Sequence, residues 1–143
     1  MTDEPTTTAQ AASAQPATAP LSTGTAGDGS FVARNAELRA GLRRLHRRLP
    51  GPMRGFNALH AATVGDGALS RSTKELIALA IGISGHCEGC IAYHVDDALR
   101  AGASRAEIEE TIAVAILMGG GQAVVYGSDA LSALDQLEAA AEG

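Results

Sequence analysis

Three side chains in the middle of the chain have the types and spacing of a thiol redox site. Cys87 and Cys90 lie three apart, in the string CEGC, and His94 follows Cys90 by four residues. If this segment is helical, His94 lies one turn beyond Cys90, on the same face and within reach of its sulfur. An imidazole there can take the thiol proton or hold a thiolate as an ion pair. One thiolate can then attack a substrate while the other resolves the product into a disulfide.

Glu75 is a fourth candidate, and its spacing allows two interpretations. It stands near the start of an apolar helix, where a buried carboxyl group can transfer protons. The string Ser72-Thr73-Lys74-Glu75 also has the pattern of a capping box, in which the glutamate serves only the helix start. Spacing alone does not decide between them.

The two cysteines have other interpretations as well. They are the only cysteines in the chain, and a disulfide over so short a loop adds little stability. In a reducing compartment the spacing favours a redox or metal pair. Buried structural thiols remain open, as does a zinc site in which His94 or His86 is a third ligand, although structural zinc takes four.

Composition and periodicity predict an all-α fold of about six helices. Aromatic residues make up only 3% of the chain, which argues against a β-sandwich or barrel. Apolar spacing and capping residues predict where the six helices begin and end. The predicted helices run from Phe31 to the stop at Pro50, over about 53–64, from Ser70 or Ser72 to Gly85, from the cysteines to Gly102, over 105–118 and over about 122–140. Because the third helix is apolar on every side, we expect it to be buried all round.

The chain divides into a tail and one domain. Residues 1–30 are rich in Ala, Thr, Ser, Pro and Gly without apolar periodicity, which predicts a disordered tail. Residues 31–143 then form a single helical domain. A domain of this size has too little interior to bury two helices that are apolar all round. We therefore expect part of their surface to contact another copy in a homo-oligomer.

Charge and hydropathy argue against nucleic-acid and membrane partners. The net charge is −5, and the arginine-rich face of the first helix lacks interleaved aromatic residues, so we expect no nucleic-acid binding. The apolar stretch at 112–126 is interrupted by glycines and is too short to span a membrane. The N-terminus has neither a basic nor a hydrophobic signal region, so we expect a cytoplasmic protein.

Two strings carry a resemblance to a known family. KELIALAIGISGHCEGCIAYHVDDALRAGAS, followed by EIEETIAVAILMGGGQAVVYGSDALSAL, resembles the carboxymuconolactone decarboxylase superfamily and, within it, the AhpD-like alkylhydroperoxidases. The resemblance covers about 56–134 and rests on a glutamate followed by the pattern CxxCxxxH. It implies an all-helical bundle that assembles into homotrimers or homohexamers.

The resemblance also implies residue roles and partners. Cys90 matches the peroxidatic cysteine, which attacks a small-molecule hydroperoxide, and Cys87 matches the resolving cysteine. Glu75 and His94 match the proton relay, while Gly89 stands where the best-known AhpD proteins have another histidine. The implied reductant is a thiol or lipoyl-type dithiol, and no metal or other cofactor is implied.

Three functions follow as hypotheses. The first is a thiol-dependent peroxidase or disulfide reductase of the peroxiredoxin type, acting in antioxidant defence. The second is the lyase that names the superfamily, whose chemistry needs an acid/base and a carboxylate anchor rather than a dithiol. The third is a non-catalytic helical oligomer, with or without zinc, that serves as an interaction module.

Overall fold

The computed structural model of the protein describes residues 29–142 and contains helices but no strands over that range. The five helices are α1 (Phe31–Arg48), α2 (Pro50–Val64), α3 (Arg71–Ser84), α4 (Glu88–Arg100) and α5 (Arg105–Glu142). The all-α prediction is confirmed. The predicted tail, 1–30, lies outside the described residues except for its last two.

The predicted fifth and sixth helices are the two arms of α5. The helix is interrupted at Gly120, where φ is 66° and ψ is −150°, and the chain turns back there. A Cβ atom at Gly127 would lie 3.1 Å from Ile112 Cγ2, and Arg105 at the start of α5 reaches Asp135 near its end, at 2.5 Å. The two arms therefore pack side by side as an antiparallel hairpin.

Within residues 29–142, α5 alone is long and apolar enough to cross a membrane, judged by length and composition. The turn at Gly120 divides that length between two arms that run in opposite directions.

Local capping explains where several helices begin and end. Ser70 caps α3, since its Oγ accepts the N–H of Thr73 at 3.1 Å. Ser104 and Glu107 form a reciprocal capping box at the start of α5, and the hydrogen bonds from Ser104 hold the pKa of Glu107 below its usual value. Gly102 follows α4 with φ 88°, the left-handed conformation that commonly ends a helix.

The core lies between α3, α4 and the α5 hairpin. Its largest fully buried apolar side chains come from all three elements: Leu79, Ile83, Ile91, Val95, Ile108 and Leu134. α1 crosses this unit and adds Phe31 at its edge.

Two sequence predictions differ from the structure. Within the single chain α3 is not buried all round, because Ile77 and Ile81 are 46% and 67% exposed. Its packing covers the faces toward α4 and α5 and leaves this side open within the chain. α2 begins at Pro50 rather than near 53, because proline at the first helical position lacks only an N–H that has no helical partner there.

Candidate active site

The start of α4 holds both cysteines. Cys87 is the N-cap residue, and its Sγ accepts the N–H of Cys90 at 3.2 Å. The two sulfurs are joined as a disulfide. α3 packs closely behind them, since a Cβ atom at Gly82 would lie 3.2 Å from Cys90 Cβ. A helix start favours a thiolate over a thiol because its free N–H groups and positive dipole end face the sulfur.

Glu75, which is buried, and His94, which is partly exposed, form a hydrogen-bonded pair beside the cysteines. Glu75 is fully buried, and its Oε2 lies 2.8 Å from His94 Nδ1. A carboxylate only accepts hydrogen bonds, so Nδ1 donates and Nε2 of a neutral ring is left as an acceptor. The capping interpretation of Glu75 is wrong, because Ser70 caps α3 and Glu75 bonds across to α4 instead.

The second oxygen of Glu75 has no hydrogen bond. Oε1 is buried without a partner, and Arg71 Nε approaches it only to 3.9 Å. Burying a carboxylate is costly unless it is hydrogen-bonded or paired. The bond to His94 is therefore the one side-chain hydrogen bond of Glu75 among residues 29–142.

A cavity of about 430 Å³ opens over the cysteines between α1, α2 and the first turns of α4. His94 is part of its wall, whereas Glu75 lies behind His94 and away from the cavity surface. The lining residues are Leu38, Leu42, Arg43, His46, Met53, Phe56, Asn57, His60, Cys87, Gly89, Cys90, Tyr93 and His94.

His60 and His86 lie in different places relative to the cysteines. His60 on α2 lines the cavity, its Nε2 is buried without a hydrogen bond, and its ring meets Tyr93 edge to face. His86 directly precedes the cysteines but stacks on Tyr126 of α5, at 4.9 Å between ring centroids. His60 and His46 are therefore the additional imidazoles in the cavity wall, and His86 lies outside it.

A network that sequence reasoning missed fixes α1 over the site. Arg39 bonds Asp96 and Asp97 of α4 at 2.8 and 2.6 Å, and its guanidinium lies 4.4 Å from the ring centroid of Tyr93. The available signal was the pair of adjacent aspartates between the apolar residues Val95 and Ala98 of α4, because buried aspartates need cationic partners.

Burial and charge act in opposite directions on this network. Burial alone would raise the pKa of Asp96, but the hydrogen bonds from Arg100 and Asn35 outweigh it and hold that pKa below its ordinary value. Burial raises the pKa of Tyr93, and the neighbouring Asp97 raises it further. Asp96 is thus held ionised, and the Tyr93 hydroxyl protonated, around neutral pH.

A zinc site was one of the alternative interpretations of the cysteine pair. Among residues 29–142, no three His, Cys, Asp or Glu side chains are grouped so that they could hold a metal ion.

Residues 50–133 match the model of the carboxymuconolactone decarboxylase family, and this segment contains all four candidate residues. An uncharacterized protein of Cupriavidus necator is 39% identical over 90 residues, which are 63% of this chain and 80% of that one. A second uncharacterized protein, from the cox locus of Paracoccus denitrificans, is 41% identical over 85 residues, 59% of this chain and 77% of its own.

Solved structures of the same family share the fold. A family member from Legionella pneumophila superposes with a TM-score of 0.72 at 36% identity, over 75% of this chain and 96% of that one. A Thermotoga maritima member, for which a part in the antioxidative response has been suggested, gives 0.69 at 28% identity, over 76% and 93%. On the family match and these likenesses, the chain belongs to the carboxymuconolactone decarboxylase family.

Proposed function

We propose that this protein is a thiol-dependent peroxidase of the AhpD-like kind, with Cys90 as the attacking thiol. The observation that carries the proposal is one cavity whose wall contains Cys87, Cys90 and His94, with Glu75 bonded behind the histidine. The proposal is supported by the presence of a cysteine pair and an imidazole in the wall of one cavity.

In the oxidative half of the cycle, His94 Nε2 takes the proton from the Cys90 thiol. The thiolate attacks the terminal oxygen of a hydroperoxide, the O–O bond breaks, and the alkoxide leaves as an alcohol after it receives that proton. Cys90 is now a sulfenic acid. The Cys87 thiol condenses with it, so that one water is released and the disulfide forms.

In the reductive half, an external dithiol opens the disulfide. Its thiolate attacks Cys87, which lies at the cap of α4, and a mixed disulfide forms while Cys90 leaves as a thiolate. The second thiol of the donor then releases Cys87 and carries away the oxidised disulfide. The reverse exchange, in which the reduced cysteine pair attacks an external disulfide and reduces it, is a disulfide reductase activity. The cycle needs a reducing compartment, which accords with the cytoplasmic expectation.

The similar proteins support membership of a family that includes enzymes, which is a broader statement than peroxidase activity. The family includes enzymes, and the suggested antioxidative role of the Thermotoga maritima member is compatible with peroxide chemistry. The curated relatives are themselves uncharacterized. Activity on peroxide is therefore a matter for direct measurement on this chain.

The test is the intact mass and free-thiol count of the reduced protein before and after one equivalent of cumene hydroperoxide. Wild type should lose two hydrogens and both thiols. The Cys87→Ser variant should retain a sulfenic acid that dimedone traps, whereas Cys90→Ser should keep its remaining thiol. Thiols that stay reduced under excess peroxide would contradict the proposal, and retention of full lyase activity by Cys90→Ser would favour the decarboxylase alternative.

A further inference from the structure

The basic residues of this acidic protein are concentrated on α1 and α2, the two helices that form much of the cavity wall. Seven of its eleven Lys and Arg residues lie within 31–64, which has one acidic residue, Glu37. Two of the seven are paired across to α4: Arg34 with Glu88, and Arg39 with the aspartates. The other five form no ion pair within residues 29–142. Positive charge is therefore left over on α1 and α2, where the proposed redox reaction makes no use of it.

One of these unpaired arginines belongs to the cavity itself. Arg43 and His46 are in its wall, while Leu38, Leu42 and Phe56 make its surface largely apolar. Phe56 is 57% exposed although it faces this space. The cavity thus has an apolar body with a permanent cation on its wall, since arginine stays charged at any physiological pH.

The placement of Leu38 shows how the apolar wall reaches the cysteines. A Cβ atom at Gly89 would lie 3.6 Å from Leu38 Cδ2, so α1 passes directly over the segment between the two cysteines. Arg43 lies five residues further along α1, more than one helical turn away. An apolar ligand along this wall would have one end at Cys90 and the other near Arg43.

We propose that the substrate of this site is an amphipathic hydroperoxide that carries a carboxylate. Its hydrocarbon chain packs along Leu38, Leu42 and Phe56, its carboxylate pairs with the Arg43 guanidinium, and its peroxide group meets Cys90. This rests on the proposed function, because it specifies which peroxide the same dithiol reduces. A volume of about 430 Å³ falls within the usual range for small-ligand pockets.

The experiment compares an acid with its neutral ester. The reduced protein is mixed with the 13-hydroperoxide of linoleic acid or with the methyl ester of the same hydroperoxide, and thiol loss is followed in time. We expect the acid to react about tenfold faster than the ester, as a charge-assisted hydrogen bond would give. The preference should fall as salt is added, because the cation is partly exposed.

Two variants with the same change of charge make the comparison specific. Arg43→Gln should reduce the acid-to-ester rate ratio to about one, since it removes the cation in the cavity. Arg47→Gln removes an unpaired arginine of the same helix that is not in the cavity wall, and it should retain the preference. An equal loss in both variants would replace a specific carboxylate site with general electrostatic attraction and so overturn the proposal.

The remaining outcomes separate the substrate class from the peroxidase function. Equal rates for acid and ester, with cumene hydroperoxide still active, would overturn the carboxylate proposal and leave the peroxidase intact. If no hydroperoxide oxidises the thiols, the proposed function fails. Alkylation of the reduced thiols by iodoacetamide then tests the site alone: protection by decanoate but not by methyl decanoate supports an anion-binding cavity, and equal protection overturns it.

Discussion

The hydrogen bond between Glu75 and His94 fixes the orientation of the imidazole ring on which the proposed chemistry depends. In the proposed cycle, Nδ1 donates to the fully buried carboxylate of Glu75, and Nε2 acts as the base. Glu75 is not part of the cavity wall, so in this proposal it is a positioning residue. Its effect should appear in the proton-transfer step and in the orientation of the ring rather than in binding.

We therefore expect Glu75→Gln to slow peroxide-driven thiol loss by about 10²-fold, because an amide can donate to Nδ1 and select the wrong tautomer. The pH dependence of the rate should change as well, which a merely structural role would not produce. Glu110→Gln, at an exposed position of α5, is the matched control and should keep wild-type kinetics. Unchanged kinetics and pH profile in folded Glu75→Gln would rule out the relay.

The site residues could be predicted from the sequence where they lie within a few residues of one another on one helix. Cys87, Cys90 and His94 are fixed relative to one another by the turns of one helix, so their spacing was sufficient. Glu75 lies 19 residues before His94, and its capping and functional interpretations could be separated only by the packing of α3 on α4. The cavity wall from α1 and α2, including His60, depends on contacts that no local pattern specifies.

At the level of the helices, Gly120 determines whether α5 can fold back. Its φ of 66° with ψ of −150° belongs to a region that is open almost only to glycine. A Cβ atom there would meet nothing within 4 Å, so the requirement concerns the backbone and not space. Gly120→Ala should lower the free energy of unfolding by about 1–3 kcal/mol.

Gly121→Ala is the matched control for that prediction. The neighbouring glycine is helical and also has no atoms within 4 Å of an added Cβ, so alanine should stabilise the helix by up to about 1 kcal/mol. Urea unfolding followed by circular dichroism measures both variants. Equal effects of the two substitutions would contradict the turn at Gly120.

The contact between α1 and α4 should make the stability depend on pH. The pKa of Asp96 is lower in the folded protein than its ordinary value, so its contribution is complete above that ordinary value and is lost as the pH falls through the folded value. Asp96→Asn should lower the free energy of unfolding at pH 7 by about 1.5–3 kcal/mol. It should also flatten the decline in stability below about pH 4.

Chemical denaturation at a series of pH values measures this effect. Glu37→Gln, on an exposed position of α1, is the control and should retain the acid-side slope of wild type. The same slope in Asp96→Asn as in wild type would show that the ion pairs of Asp96 with Arg39 and Arg100 contribute nothing to folding.

Helix boundaries were more predictable than helix burial. Caps such as Ser104 with Glu107 are satisfied within one turn, so the sequence around them is sufficient. The three glycines correctly marked a break, although they could not show that the arms remain in contact. The single chain does not bury α3 on all sides. Apolar composition shows how much surface needs covering but not which element or which copy covers it.

Considered as a whole, the single chain leaves a large apolar surface around the turn of the α5 hairpin. Leu117 and Met118 are 80% and 79% exposed, and Val124 and Val125 on the other arm are more than half exposed. The end of α3 lies beside them, since a Cβ atom at Gly119 would be 3.5 Å from Ser84 Oγ. Contiguous apolar patches of this kind mark surfaces that another molecule covers.

We predict that a second copy of the chain covers this surface, as the expected homotrimer or homohexamer requires. Light scattering coupled to gel filtration should give three or six times the mass of one chain for wild type. Leu117→Lys should shift that mass toward one chain, because it places a charge where the apolar contact is needed. Ala140→Lys puts the same charge on an exposed position at the open end of the hairpin, and it should leave the assembly intact. A wild type that remains a single chain at micromolar concentration would show that this apolar surface does not mediate self-association.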